Sequence, residues 1–320
     1  MTAQDSAVRV PAVPGHRVPD ACTTWRPALP VDVRRTLAPL RRGGGDPTHR
    51  VEPTGVVWRT SCTAAGPATY RLVQSGPHEV LCEAWGPGSE HVVAGVPDLL
   101  GARDTGEGFE PRHPLLAEAH ARHPGVRVAR TGRVLEALVP SVLEQKVTGK
   151  EAFAAFRTLV LRFGEPAPGP APAGMRTPPS AEVWRRVPSW EWHRAGVDPK
   201  RSRTVCEATR LAPRLEQAVD MAPDEAARRV RAVPGVGAWT AAEVAQRALG
   251  DTDAVSVGDY HLAAYVGWAL LGRPLDDDGM VELLEQWRPH RYRVVLLLQC
   301  SGYTKPRFGP RMTVQDHRAH

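Results

Sequence analysis

One nine-residue segment narrows the possible folds of this chain more than any other: Val233-Pro234-Gly235-Val236-Gly237-Ala238-Trp239-Thr240-Ala241. An amphipathic helical pattern at 223–231 precedes it and an Ala-rich one at 238–249 follows. Gly235 and Gly237 permit positive φ and leave the backbone uncovered. Val233 and Val236 can pack between the flanking helices. The segment therefore predicts two helices joined by a tight hairpin, with the hairpin amides and the start of the second helix facing outward. That arrangement forms a phosphate site that needs no side chain. It holds a nucleic-acid backbone without reading sequence. An isolated Pro-Gly-Val-Gly also suits an ordinary turn; the flanking helices and the trailing Trp-Thr-Ala favour phosphate binding.

The rest of the chain supplies the setting. Residues 1–24 are Pro-rich and lack periodicity, so they read as a loose N-terminal arm. Segments 55–63, 69–75 and 79–85 are rich in Val, Thr, Tyr and Trp and are separated by Gly and Pro at hairpin spacing. With a helix around 91–100 they predict a small antiparallel α+β domain. From about Pro114 apolar residues recur at three- and four-residue spacing, which predicts an all-helical region. Within it, 165–180 is a Pro/Ala/Gly loop, read as a mobile lid or a tolerated surface insertion. Val294 to Leu298 form an apolar run that predicts a fully buried central helix.

Composition bounds the function classes. The chain has 320 residues, 42% hydrophobic and 24% charged, with a net charge of +6 and a pI near 9.3. That excludes a mainly disordered chain. No stretch approaches a membrane span, and no signal peptide is visible. A modest basic excess is compatible with a polyanion partner without requiring one. Cys22, Cys62, Cys82, Cys206 and Cys300 are scattered, with no zinc or iron–sulfur spacing, which suggests reduced thiols in a cytoplasmic protein. His113, His120 and His123 match no strong metal motif and read as solvated helix faces, so no metal is expected.

Asp259 follows Gly237 by 22 residues, in Val257-Gly258-Asp259-Tyr260-His261-Leu262, where a new helix starts. Its ordinary reading is an N-cap. Its catalytic reading comes from position. The intervening helix of about 11 residues is about 16 Å long, and the loop at 250–258 can return the chain to the hairpin side. Asp259 then faces DNA held by the hairpin, at a helix N-terminus that favours negative charge.

The hairpin, the Gly-x-Trp-Thr-Ala continuation and the Asp-Tyr at this spacing resemble the helix-hairpin-helix DNA glycosylase superfamily. Within it the chain most resembles the bacterial 3-methyladenine DNA glycosylase II family. The resemblance implies an α+β N-terminal domain, an antiparallel sheet like half of a TATA-binding fold, at 25–112. It implies an all-α helix-hairpin-helix glycosylase region at 113–303, with a basic C-terminal tail at 304–320. It makes Asp259 the catalytic aspartate, puts Trp239 and Tyr260 on the base pocket, and gives Val233, Pro234, Gly235, Val236, Gly237 and Thr240 to the DNA-binding hairpin. Val142-Leu143-Glu144-Gln145-Lys146-Val147-Thr148 resembles the turn that wedges into DNA at the flipped base, with Leu143 or Gln145 as the wedge. Implied too are double-stranded DNA with a damaged base as partner, no obligatory protein partner and no membrane. No cofactor is implied beyond a monovalent cation at the hairpin when DNA is bound. The setting implied is the bacterial cytoplasm, nucleoid-associated through DNA.

Two departures from the family pattern shape the expected chemistry. Trp239 stands where bifunctional members carry a Schiff-base lysine, and Lys200 and Lys305 are distant in sequence. That predicts a monofunctional enzyme without lyase activity, although Lys146 and Lys150 flank the wedge turn. Gln299 aligns where the family has a late aromatic, which removes one stacking surface of the base pocket. The expected function is release of alkylated purines, 3-methyladenine type, from duplex DNA by base flipping. Aromatic faces attract a cationic alkylated base, flipping costs a few kcal/mol, and an abasic site remains. A glycosylase for deaminated, oxidised or mismatched bases is the enzymatic alternative, which Gln299 would suit. A non-catalytic helix-hairpin-helix DNA-binding protein is the other.

Overall fold

The computed structural model describes residues 17–306; the first part of the expected arm, 1–16, and most of the expected tail, 307–320, lie outside them. Five strands lie in the first part of the chain: β1 (Ala21–Trp25), β2 (His49–Val51), β3 (Val57–Thr63), β4 (Gly66–Gly76) and β5 (Glu79–Trp85). They form one antiparallel sheet in the order β1-β5-β4-β3-β2. The expected arm is shorter than its composition suggests. Ala21–Trp25 is an edge strand on β5, with Cys22 opposite Glu83 and Thr23 opposite Cys82. Its register comes from the partner strand, so its own five residues carry little pattern. Upstream of it, the Trp85 indole donates to the carbonyls of Arg17 and Val18, both at 3.1 Å.

One sheet face packs against α1 (Val33–Leu37), α2 (Ser89–Ala94) and α3 (Val96–Leu99) around Tyr70, Leu72 and Val80. The other face is where the 165–180 segment goes, and it is not a lid. Met175 is buried with the stacked pair Trp58 and Trp85, whose ring centroids are 5.7 Å apart. The Arg176 amide donates to the Pro47 carbonyl at 2.9 Å, and its carbonyl accepts from Thr60 Oγ1 at 2.6 Å. Prolines give this loop no periodicity, yet it covers aromatic area that would otherwise meet water.

The helical region continues with α4 (Pro114–Arg122), α5 (Val134–Leu143), α6 (Gly149–Phe163), α7 (Ala181–Arg186), α8 (Ser189–Arg194), α9 (Pro199–Arg210) and α10 (Ala212–Glu216). It ends with α11 (Pro223–Arg231), α12 (Ala238–Val244), α13 (Leu262–Leu271), α14 (Asp277–Leu284) and α15 (Arg291–Cys300). Two cores result. Helices α5 to α12 enclose one, around Leu138, Leu159, Val205 and Val230. The chain then returns, and α13 to α15 close a second core with α4. Every residue from Tyr292 to Leu298 is buried, as the apolar run predicts. The α12 backbone widens into a π-helical turn at Ala245–Leu249, a device frequent at functional sites. Buried cross-links join the sheet to these helices. Arg42 donates to Glu144 at 2.7 Å, and Arg247 Nε donates to the Pro39 carbonyl at 3.1 Å. Among the described residues no helix is long and apolar enough to cross a membrane.

Candidate functional site

Helices α11 and α12 are joined by a hairpin, as the glycine spacing predicts. Val233 and Val236 are buried between them, while Pro234, Gly235 and Gly237 are exposed. The two glycines have different physical reasons. Gly235 has φ +90°, and a Cβ there would lie 2.1 Å from Thr204 Oγ1, so no other residue fits. Gly237 precedes α12 with ordinary φ, and a Cβ would meet open space on the outer face. Thr240 is not on that face. It is buried, and its hydroxyl accepts from Gln145 Nε2 at 2.9 Å.

The turn between α5 and α6 leans on this hairpin. Gln145 Nε2 donates to the Gly235 carbonyl at 3.1 Å as well as to Thr240, so Gln145 is half-buried and engaged rather than projecting. Leu143 is fully buried in the first helical core, which removes it as a wedge. It sits in the last turn of α5 with its side chain on the apolar stripe. The exposed tip is Lys146, at φ +56°, the only non-glycine residue of positive φ among those described. The sequence marks Lys146 only as a lysine flanking the turn, because a positive φ at a lysine has no compositional signal.

Asp259 lies at the entrance to α13, and three donors fix its carboxylate. Oδ1 accepts from the amides of His261 and Leu262 at 2.9 and 3.0 Å, a capping bond pattern made from two residues ahead of His261, the N-cap position of α13. Oδ2 accepts from the Trp239 indole at 3.2 Å. The capping and catalytic readings are thus compatible: one oxygen caps while the other is held by a side chain from the helix after the hairpin. Trp239 is half-buried and acts on Asp259 rather than on the cavity wall. Tyr260 is corrected outright. It is 84% exposed and packs edge-on against His261 at 4.8 Å, because the capping turn directs residue 260 away from the pocket.

Asp259 opens onto a cavity of about 470 Å³, within the size range of small-molecule sites. Gln299 lines it, as the alignment predicts. Its aromatic walls are Tyr265 and Tyr292, both from the second helical core. Burial pushes both phenols up to about 12, so both are neutral at physiological pH. The Tyr265 hydroxyl donates to the Leu298 carbonyl at 2.7 Å. Glu243, Gln246, Arg247 and Ser256 form a polar wall, and Lys305 stands nearby with Nζ 3.5 Å from His261 Nδ1. The polar wall was legible in part: Glu243 falls four residues after Trp239 and so shares its helix face. Lys305 was not legible, since only tertiary structure carries it to Asp259.

No family model matches the chain. It is 32% identical over 180 residues to the "Probable bifunctional transcriptional activator/DNA repair enzyme AlkA" of Mycobacterium tuberculosis, in the strains CDC 1551 / Oshkosh and ATCC 25618 / H37Rv. The match takes 56% of this chain and 35% of those proteins, so the chain spans about a third of the length of the curated relatives it matches. Among solved structures, the 3-methyladenine DNA glycosylase of Archaeoglobus fulgidus superposes with a TM-score of 0.73 at 16% identity, over 87% of this chain and 98% of that one. The apo 8-oxoguanine glycosylase/lyase of Clostridium acetobutylicum gives 0.67 at 13% identity, over 88% and 96%. The chain has the fold of these solved DNA glycosylases. Helix α12 and the hairpin before it touch both neighbours: Gln145 of the α5–α6 turn bonds Gly235 and Thr240, and Trp239 bonds Asp259 at the cavity. The sheet domain reaches the same cavity through Pro39.

Proposed function

We propose that this protein is a DNA glycosylase that flips alkylated purines, 3-methyladenine type, out of duplex DNA and hydrolyses their N-glycosidic bond. The observation that carries the reading is the Asp259 carboxylate, held by the Trp239 indole at the mouth of a cavity beside the exposed hairpin. The five-stranded sheet serves as the half-TATA-binding-like domain expected at 25–112, extended back to Ala21 by β1, and the helices of 113–303 form the catalytic region. Hairpin amides grip the phosphates without reading sequence. Lys146 at the tip of the wedge turn takes the role expected of Leu143 or Gln145. The flipped base enters between Tyr265 and Tyr292, where stacking contributes roughly 1–3 kcal/mol. Alkylation gives the purine positive charge, so it leaves with the bonding electrons and no general acid is needed. The sugar passes through an oxocarbenium-like state, which Asp259 stabilises. Water then adds at C1′ and loses a proton, giving free base and an abasic site.

Incubation with methylated duplex DNA tests this directly. Free methylated purines should accumulate in the chromatogram, and DNA should be recovered with alkali-labile sites. Absence of any released base would overturn the reading in favour of a non-catalytic DNA-binding protein.

The hairpin role has its own test. Gly237→Val adds a side chain only to the outer face, so the fold should stay intact. Affinity for duplex DNA should fall for every sequence, with a shallower dependence on salt. Unchanged affinity at two salt concentrations would make the hairpin an ordinary turn. Gly235→Val is unsuitable for this purpose, because its Cβ collides with Thr204.

The reaction is monofunctional on this reading, because position 239 offers an indole and no amine. Lys305 at the cavity wall makes that a demanding prediction. Borohydride added during turnover should trap no protein–DNA adduct, and strands should remain uncut until alkali is added. An adduct that disappears in Lys305→Ala would show that the enzyme forms an imine after all.

A further inference from the structure

On the glycosylase reading above, we infer that the cavity selects purines presenting a guanine edge over purines presenting an adenine edge, and that Glu243 with Arg247 makes the distinction. Glu243 is 7% exposed, one helical turn beyond Trp239 on α12, and forms part of the cavity wall. Its carboxylate is fixed at both oxygens. Oε1 accepts from Ser256 Oγ at 2.6 Å, and Oε2 lies 2.7 Å from Arg247 NH1. The direction of these bonds is forced. Gln246 Nε2 donates to Ser256 Oγ at 2.9 Å, so the serine proton goes to Glu243. Gln246 Nε2 also donates to the Ala254 carbonyl at 2.9 Å, and its oxygen accepts from Arg247 at 3.3 Å. Burial opposes the Arg247 charge, but Glu243, Tyr292 and Glu144 together outweigh it and hold the guanidinium above its ordinary value.

Arg247 Nε ties the helix to the Pro39 carbonyl, but that cross-link needs no carboxylate, and a pocket that only stacks a cationic base needs no charged pair on its wall. A buried ion pair is often no better for stability than well-packed apolar side chains, and α12 is otherwise Ala-rich. What the pair supplies is a fixed pattern of acceptor and donor. An ionised carboxylate has about four lone-pair positions, and two are taken. The remaining positions can accept, while the Arg247 guanidinium can donate beside them. Guanine presents two adjacent donors, N1–H and the 2-amino group, followed by the O6 acceptor. That sequence complements a carboxylate next to a guanidinium. Adenine presents the N1 lone pair in the same place, which sets an acceptor against the carboxylate. Alkylation at N3 or N7 leaves these edges intact, so the distinction holds within alkylated purines. A site built to hydrogen-bond a group rejects strongly the analogue that lacks it.

The test uses duplex DNA treated with a methylating agent, with released bases resolved by chromatography and each rate divided by its uncatalysed rate. For the native protein the acceleration for 3-methylguanine should exceed that for 3-methyladenine by about tenfold or more. Glu243→Gln replaces an acceptor oxygen by a donor of the same shape, and should reduce that ratio at least tenfold. Circular dichroism establishes that the variant is folded. A measurement on the native protein needs no variant: free 3-methylguanine should bind more tightly than free 3-methyladenine in a calorimetric titration. An equal or reversed preference in both measurements overturns the inference, and a preference unchanged in folded Glu243→Gln removes Glu243 from it. The two readings fail separately. Base release without guanine preference leaves the glycosylase standing. Preferential binding of free 3-methylguanine without any base release leaves the pocket chemistry standing and the glycosylase fallen.

Discussion

Asp259→Asn should fold normally, bind lesion-containing duplex as the native protein does, and lose base release by a factor on the order of 10²–10³. Folding survives because the capping oxygen survives. The Asn side-chain oxygen can accept from the His261 and Leu262 amides as Asp259 Oδ1 does, and Asn and Asp are near-equal N-caps. DNA affinity survives because the hairpin is untouched. What disappears is the negative charge facing C1′ when the sugar becomes cationic, and removing one preorganised electrostatic partner typically costs that factor. Trp239 adds a second consequence. Its indole can donate only to an acceptor, so the amide must turn its oxygen to either the indole or the two backbone amides. Single-turnover kinetics on a methylated duplex, with binding measured separately by fluorescence anisotropy, separates the terms. Turnover within a few-fold of native would return Asp259 to the role of a cap alone.

The parts of this site legible in sequence are those whose chemistry is local. The hairpin declared itself because Gly235 needs a left-handed backbone and Val233 and Val236 need a core within four residues of each other. The buried run of α15 was legible because five consecutive apolar side chains have only the interior to occupy. Asp259 was legible through its spacing from the hairpin. What stayed hidden depends on partners distant along the chain. The edge strand Ala21–Trp25 is defined by β5, and the 165–180 loop by the tryptophan pair it covers. Tyr265 and Tyr292 line the cavity only because two helices of the returning segment meet there. Tyr260 was misassigned for a related reason. Adjacency to Asp259 along the chain says nothing about direction, and a capping turn sends successive side chains opposite ways.

The wedge turn decides between a core residue and a functional one, and stability measurements separate them. Leu143→Ala should lower the free energy of unfolding by about 2–5 kcal/mol, seen as a reduced denaturant midpoint with little change in slope. The side chain is fully buried on α5, among the residues that hold the first helical core together. Its backbone carbonyl also receives Arg201 NH1 at 2.7 Å, which ties the end of α5 to α9. Below the unfolding transition, the surviving native protein should release base at close to the native rate, since Leu143 is fully buried and lies outside the cavity lining. Lys146→Gly should behave in the opposite way. A lysine at φ +56° is held in a region that costs L-residues of this kind roughly 1–2 kcal/mol, so glycine should leave stability unchanged or raise it. Base release should nonetheless fall, because the tip no longer carries a side chain to occupy the space left by the flipped base. On the proposed function, the side chain carried at this strained and exposed position faces the duplex. Should Leu143→Ala leave stability intact and abolish base release, the wedge would belong to Leu143, and α5 would have to unwind its last turn on DNA to deliver it.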